Sequence, residues 1–248
     1  MDTSLFEPPA FIKLLANDVR WTLLQSLVNG DHRVQELVAL AGQPMNLVSY
    51  HLKKLRDEGV VQMRRSEADA RDIYYSLNLD RLYEQYQAAG RALHPAFAGV
   101  DETPPSVAGG PIRVLFVCTH NSARSQMAEA LMRFMGVGRV EVYSAGSHPG
   151  GIHPDTITTM ARMGIDIGGQ HAKHLSEFEA QPFDYVITVC DRAREVCPTF
   201  PGAGRQIHWG FPDPTSIDDQ AERLAAFEDI AGRLRSRIGY FLTMVTTS

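Results

Sequence analysis

Residues 112–125 read Ile112-Arg113-Val114-Leu115-Phe116-Val117-Cys118-Thr119-His120-Asn121-Ser122-Ala123-Arg124-Ser125. The opening run is apolar apart from Arg113, as a buried strand is, and a helical pattern follows from about Ser122 to Met135. A cysteine, five residues and an arginine therefore sit at a strand-to-helix turn. Successive backbone N–H groups in such a turn face a common point and, with the helix N-terminus, form an anion nest. Thr119, His120, Asn121, Ser122, Ala123 and Arg124 are the expected oxyanion-binding residues. Arg124 adds a planar, bidentate grip on two oxygens of a tetrahedral anion. The same positive potential is expected to depress the thiol pKa of Cys118 and make it a nucleophile, with Ser125 placed to donate to the thiolate.

Working outward, further strand-like runs lie at 140–144, 184–189 and 205–208, separated by helical patterns. This alternation predicts an α/β unit with four parallel strands over 112–248. Upstream, residues 95–111 carry four prolines and three glycines without apolar periodicity, and read as a linker. Residues 1–94 have another texture. Helical stripes cover 11–29, Val34–Ala41 and Met45–Glu58, the last stopped by Gly59. Gly42-Gln43-Pro44 turns the chain between two of them, a helix-turn-helix pattern. Val60–Arg65 and Asp72–Leu77 form a hairpin or wing, and Leu79–Leu93 a closing helix.

The composition excludes several classes. A net charge of −5 with 44% apolar and 21% charged residues argues against wholesale disorder and against a broadly polybasic chain. No run approaches the roughly 18 apolar residues of a membrane span. Met1–Pro9 has neither the basic nor the apolar region of a signal peptide, so a cytoplasmic location is expected. Three cysteines, Cys118, Cys190 and Cys197, argue against a disulfide framework. No metal site and no tightly bound cofactor are expected.

Residues 10–94 resemble the ArsR-type winged-helix repressors, through Leu15–Arg20, Asn46-Leu47-Val48-Ser49-Tyr50-His51-Leu52-Lys53-Lys54-Leu55, Gly59-Val60-Val61 and Tyr74-Tyr75-Ser76-Leu77. The resemblance implies an α+β winged helix with Met45–Glu58 as recognition helix and a homodimer formed by the first and last helices. Asn46, Ser49, Tyr50, His51, Lys53 and Lys54 would then read DNA, with Arg64, Arg65 and Arg71 of the wing on phosphates or in the minor groove. The basic excess over 45–75 is a single charge, six against five, so DNA binding rests on the fold pattern rather than on electrostatics. With no cysteine in this half, a thiolate metalloid switch is excluded there.

Residues 112–245 resemble the low-molecular-weight tyrosine phosphatase superfamily and, within it, the arsenate reductases coupled to thioredoxin. The likeness is carried by Val114–Ala130, Ser144-Ala145-Gly146, Asp184–Asp191, Cys197-Pro198 and His208–Pro214. Phosphate and arsenate are near-isosteric, so the loop alone does not choose between the two activities. Both would use Asp213, before Pro214, as general acid, whereas two further cysteines seven residues apart serve only a redox reaction. By resemblance, Cys118 attacks arsenate, Cys190 attacks Cys118, and Cys197 attacks Cys190, leaving a disulfide for thioredoxin. A helical 191–196 would hold the outer pair roughly 10 Å apart by rise alone, beyond the about 7 Å a disulfide allows, so that segment must open. Thr215-Ser216 also replace the tyrosine that phosphatases commonly place after the Asp-Pro pair. Asn121, Glu129 and Ser144 match positions that shape a potassium site in some of these reductases. Lys173 lies where a further aspartate belongs, so potassium is not expected, and Lys173 itself is expected to be a solvated surface residue. The alternatives are a tyrosine phosphatase with a regulatory winged helix and a regulator that senses an oxyanion or redox state.

Overall fold

The computed structural model describes residues 8–28, 30–94, 110–196, 200 and 203–246. The expected linker is thus described only from Gly110 onward, and Cys197 lies outside the described residues. The chain forms two compact units.

In the first unit, α1 (Ala10–Leu15) and α2 (Asp18–Leu27) divide the apolar stripe, with Asn17 capping α2 by accepting the Arg20 N–H at 3.1 Å. Strand β1 (His32–Arg33) leads into α3 (Val34–Ala41), which Gly42 ends in the left-handed region. Helix α4 (Met45–Asp57) follows the Pro44 turn, and Gly59, at φ +75°, ends it. β2 (Val61–Arg65) and β3 (Ile73–Leu77) pair antiparallel, and β1 joins the far edge of β3, giving the order β1-β3-β2. Asn78 caps α5 (Leu79–Leu93). Leu23, Leu24 and Leu27 of α2, Leu37 of α3 and Val48, Leu52 and Leu55 of α4 close one core.

The second unit is built on β4 (Ile112–Cys118), β5 (Val140–Gly146), β6 (Phe183–Thr188) and β7 (Ala203–His208), all parallel, in the order β5-β4-β6-β7. Parallel strands need crossovers, which α6 (Arg124–Met135), α7 (Pro154–Arg162) and α8 (Asp191–Val196) supply, while α9 (Gln220–Thr246) closes the chain. Val114–Val117 are fully buried, as β4 lies inside the sheet and both its faces are covered. Phe227, Ile230, Leu234, Ile238 and Phe241 of α9 pack into the same core, repeating every three or four residues. Among the described residues, no helix is long and apolar enough to cross a membrane.

Candidate active site

The interior strand β4 ends on Cys118, so the anion loop opens at the carboxyl end of the sheet, where open α/β sheets place their ligands. The loop is bent by Asn121, the one non-glycine residue with positive φ (48°) among the described residues. Gly146, at the end of β5, allows this bend to pass: a Cβ there would stand 2.6 Å from Thr119 O and 2.9 Å from Asn121 N. The Asn121 N–H donates to Cys118 Sγ at 3.1 Å, and Ser125 Oγ lies 2.8 Å from the same sulfur.

A buried network orients this hydroxyl. Asn121 Oδ1 accepts the Lys173 N–H (2.8 Å) and Gln126 Nε2 (2.9 Å), which fixes the amide, so Nδ2 donates to Ser125 Oγ (2.9 Å) and Ser144 Oγ (2.8 Å). Ser125 Oγ thus accepts from Asn121 and keeps its own proton available to a Cys118 thiolate. Ser144 donates in turn to Glu129 Oε2 at 2.5 Å. Lys173 Nζ lies 3.2 Å from that carboxylate and donates to His171 O at 3.0 Å. The expectation of a solvated Lys173 is therefore corrected: the residue is buried, because a buried Glu129 needs a cation and Gly146 N–H fixes the Lys173 backbone at 2.9 Å.

The expected lowering of the Cys118 pKa is also corrected. Burial pushes the thiol above its ordinary range, and Cys190 nearby pushes it further; Ser125, Arg124 and the Asn121 N–H oppose this without overcoming it.

Arg124, the first residue of α6, is buried, donating from Nη1 to Phe211 O at 2.7 Å, with Nη2 3.1 Å from Asp213 Oδ2. The other Asp213 oxygen accepts the Thr215 N–H and hydroxyl, at 3.2 and 2.8 Å. Cys190 follows the end of β6, and its sulfur lies 3.4 Å from Thr119 Oγ1 and the same distance from Ala193 N. Cys118 and Cys190 are both free and buried. Within the loop, the His120 ring is exposed, with Nδ1 3.2 Å from His148 O. Ser122 O accepts Thr156 Oγ1 and the His153 N–H, and Ala123 is buried. Sequence reasoning missed Gln126 and the Thr119–Cys190 contact, which join residues far apart in the chain or on different elements.

On α4 of the first unit, Asn46, Ser49, Tyr50, Lys53 and Lys54 are exposed, as are Arg65 and Arg71 beyond it. His51 is corrected: with Val48, Leu52 and Leu55 it falls on the buried helix face, and among the described residues its Nδ1 has no partner. Burial lowers its pKa, and the Arg20 and Lys54 cations lower it further. Arg64 is turned inward as well, with Nη2 3.6 Å from Asp31 and its guanidinium over the Tyr74 ring. Both residues sit on element faces that the core or a neighbouring carboxylate claims.

Residues 113–248 match the model of the low molecular weight phosphotyrosine protein phosphatases, and residues 17–63 that of the arsR family of bacterial regulatory proteins. The chain is 36% identical over 130 residues to the arsenate reductase of Halalkalibacterium halodurans, covering 52% of this chain and 93% of that protein. It is 31% identical over 134 residues to the glutaredoxin arsenate reductase of Synechocystis sp., covering 54% and 98%. A solved structure of a thioredoxin-dependent arsenate reductase from Corynebacterium glutamicum aligns over 86% of this chain and 95% of its own, at 25% identity and a TM-score of 0.45.

Proposed function

The chain belongs to the low molecular weight phosphotyrosine protein phosphatase family, and within it we propose that the second unit is an arsenate reductase working through Cys118, Cys190 and Cys197. The observation that carries this reading is the Cys190 sulfur, 3.4 Å from the hydroxyl of the residue that follows Cys118. A phosphatase has no use for a second thiol there. The Cys118 thiolate attacks arsenic; an As–S bond forms and an As–O bond breaks, the oxygen leaving as water with a proton from Asp213. Arg124, in contact with Asp213, holds the remaining oxygens. The Cys190 thiolate then attacks the Cys118 sulfur. An S–S bond forms, the S–As bond breaks, and its electron pair reduces arsenic to arsenite. Cys197 attacks Cys190, returning the Cys118 thiolate, and α8 opens to bring the outer pair within bonding distance.

A dithiol protein removes the final disulfide. The proposed donor is thioredoxin, and the naming of one relative makes glutaredoxin the comparison. Such a relay needs reduced thiols, which places the protein in the cytoplasm. The test is NADPH oxidation coupled through thioredoxin reductase and thioredoxin, with arsenate as substrate. Turnover that Cys118→Ser, Cys190→Ser and Cys197→Ser each abolish is expected. Arsenate-independent oxidation, or hydrolysis of an aryl phosphate at comparable rates by wild type, Cys190→Ser and Cys197→Ser with no arsenate-dependent turnover, refutes the reading.

For the first unit we propose DNA binding by the exposed face of α4. The exposed Tyr83, Tyr86 and Leu93 of α5 and Ile12 of α1 support a homodimer through these helices, and light scattering at twice the chain mass is the expected result.

A further inference from the structure

The proposed relay uses Cys190 but not the buried pair behind it. Asp191, the first residue of α8, is 1% exposed, and His208 at the end of β7 is buried as well. His208 Nε2 lies 3.0 Å from Asp191 Oδ1, and its Nδ1 lies 2.9 Å from Oγ1 of Thr188, its register partner at the end of β6. A carboxylate so enclosed needs a hydrogen-bonded partner, and the ring is clamped between that carboxylate and the strand end. Just upstream, Val189 N–H donates to Val117 O at 2.8 Å, and Phe211 N–H donates to Val189 O at 3.3 Å. Asp191 thus continues a short series of hydrogen-bonded ties to the sheet, with Cys190 inside the series. Beyond it, among the described residues, exposed Arg192 and Glu195 flank a single small buried residue, Ala193, in a helix of six residues, too short to persist without tertiary support.

We infer that Asp191 and His208 anchor the relay segment, holding the Cys190 sulfur against the anion loop while the residues beyond Asp191 unwind. Both are positioning residues. Without the anchor, unwinding of α8 runs back through Cys190 and draws its sulfur away from Thr119. The inference rests on the proposed relay, and it adds the division between the part of the segment that stays and the part that moves.

The test needs no arsenic. In full-length protein carrying Cys197→Ser, diamide is added to the reduced chain. The Cys118 thiolate adds to the N=N bond, one nitrogen taking a proton. Cys190 then displaces the adduct, forming the Cys118–Cys190 disulfide and releasing the hydrazine, which carries away both electrons and both protons. Disulfide formation is timed by quenching with an alkylating agent and mass spectrometry, beside the rate at which Cys118 alone is alkylated. In His208→Ala and Asp191→Ala, disulfide formation is expected to slow by about tenfold or more, since displacement of a reacting group by an ångström has effects of this size. Cys118 alkylation should stay within about twofold, and His208→Gln, which keeps an N–H donor for Asp191, should recover most of the rate. If His208→Ala does not fold, Asp191→Ala and Asp191→Asn carry the comparison, with the same slowing expected. Equal disulfide rates in wild type and the His208→Ala, Asp191→Ala or Asp191→Asn variants, or slowing matched by slower Cys118 alkylation, overturn the anchor. If the chain with both residues intact forms no Cys118–Cys190 disulfide, the relay itself fails, and the anchor with it.

Discussion

Replacing Lys173 with methionine tests whether the anion loop is held by an internal cation. The side chain is nearly buried, and its ammonium is 3.2 Å from Glu129, which is 3% exposed. Removing one member of a buried pair leaves an uncompensated charge, at a cost of about 3–5 kcal/mol. Arg133 also reaches Glu129, at 2.5 Å, but more than half of that side chain is in solvent, and an exposed partner of this kind offsets only about 1 kcal/mol. The expected loss is therefore about 2–4 kcal/mol, which lowers a urea midpoint by roughly 1–2 M at a slope of about 2 kcal/mol/M. Trp209 lies in the second unit and Trp21 in the first, so fluorescence of a Trp21→Phe background follows the second unit alone. In a double-mutant cycle, Glu129→Gln should restore more than half of the loss, because it removes the orphaned charge. A midpoint within about 0.2 M of wild type, or no recovery in the double variant, refutes the reasoning.

Because burial raises the Cys118 pKa, the thiolate fraction is small at neutral pH, and alkylation by iodoacetamide should climb as pH rises through and beyond the ordinary thiol range. Ser125→Ala removes an interaction that lowers the pKa and should shift this profile further up; a plateau already reached at pH 7 contradicts both. Gly146→Ala places a methyl group 2.6 Å from Thr119 O, so phosphate binding by calorimetry should weaken by about tenfold or more, while unchanged affinity would show that the loop yields. His51 has a lowered pKa in the folded state. The unfolded chain thus takes up its proton first, and stability is complete above the ordinary histidine pKa and lost as pH falls through it. His51→Leu should remove this part of the acid sensitivity and raise stability at neutral pH by about 1 kcal/mol, read from thermal melts across pH 5–8; parallel curves for the two proteins would exclude the effect.

Much of the fold was legible because local rules and tertiary demands agree. The apolar run at Val114–Val117 is a central parallel strand in the structure, and Gly59 ends α4 where a left-handed residue was expected. The helix-turn-helix emerged from apolar spacing and a glycine turn, both encoded within a few residues. The candidate site was legible wherever its groups lie within one turn: Cys118, Asn121, Arg124 and Ser125 are neighbours in sequence and in space. Lys173 was misjudged because its partner, Glu129, is 44 residues away on another element, and a lysine in a polar context carries no local sign of burial. His51 was misjudged for a related reason. Its polarity suggested a surface contact, while its spacing from Val48 and Leu55 had already placed it on the inner face.

The order of residues alone determined the chemistry at hand: a thiol and a guanidinium on one strand-to-helix turn, two further thiols downstream, and a winged-helix pattern ahead of them. Tertiary structure decided the electrostatic balance and the reach of those groups. It raised the Cys118 pKa through burial, set Asp213 on Arg124, laid Cys190 against Thr119, and closed the Asp191–His208 pair between the start of α8 and the end of β7. Bonded neighbours follow from the chain itself. Desolvation and the meeting of distant side chains depend on how strands order in the sheet, and no window of sequence contains that order.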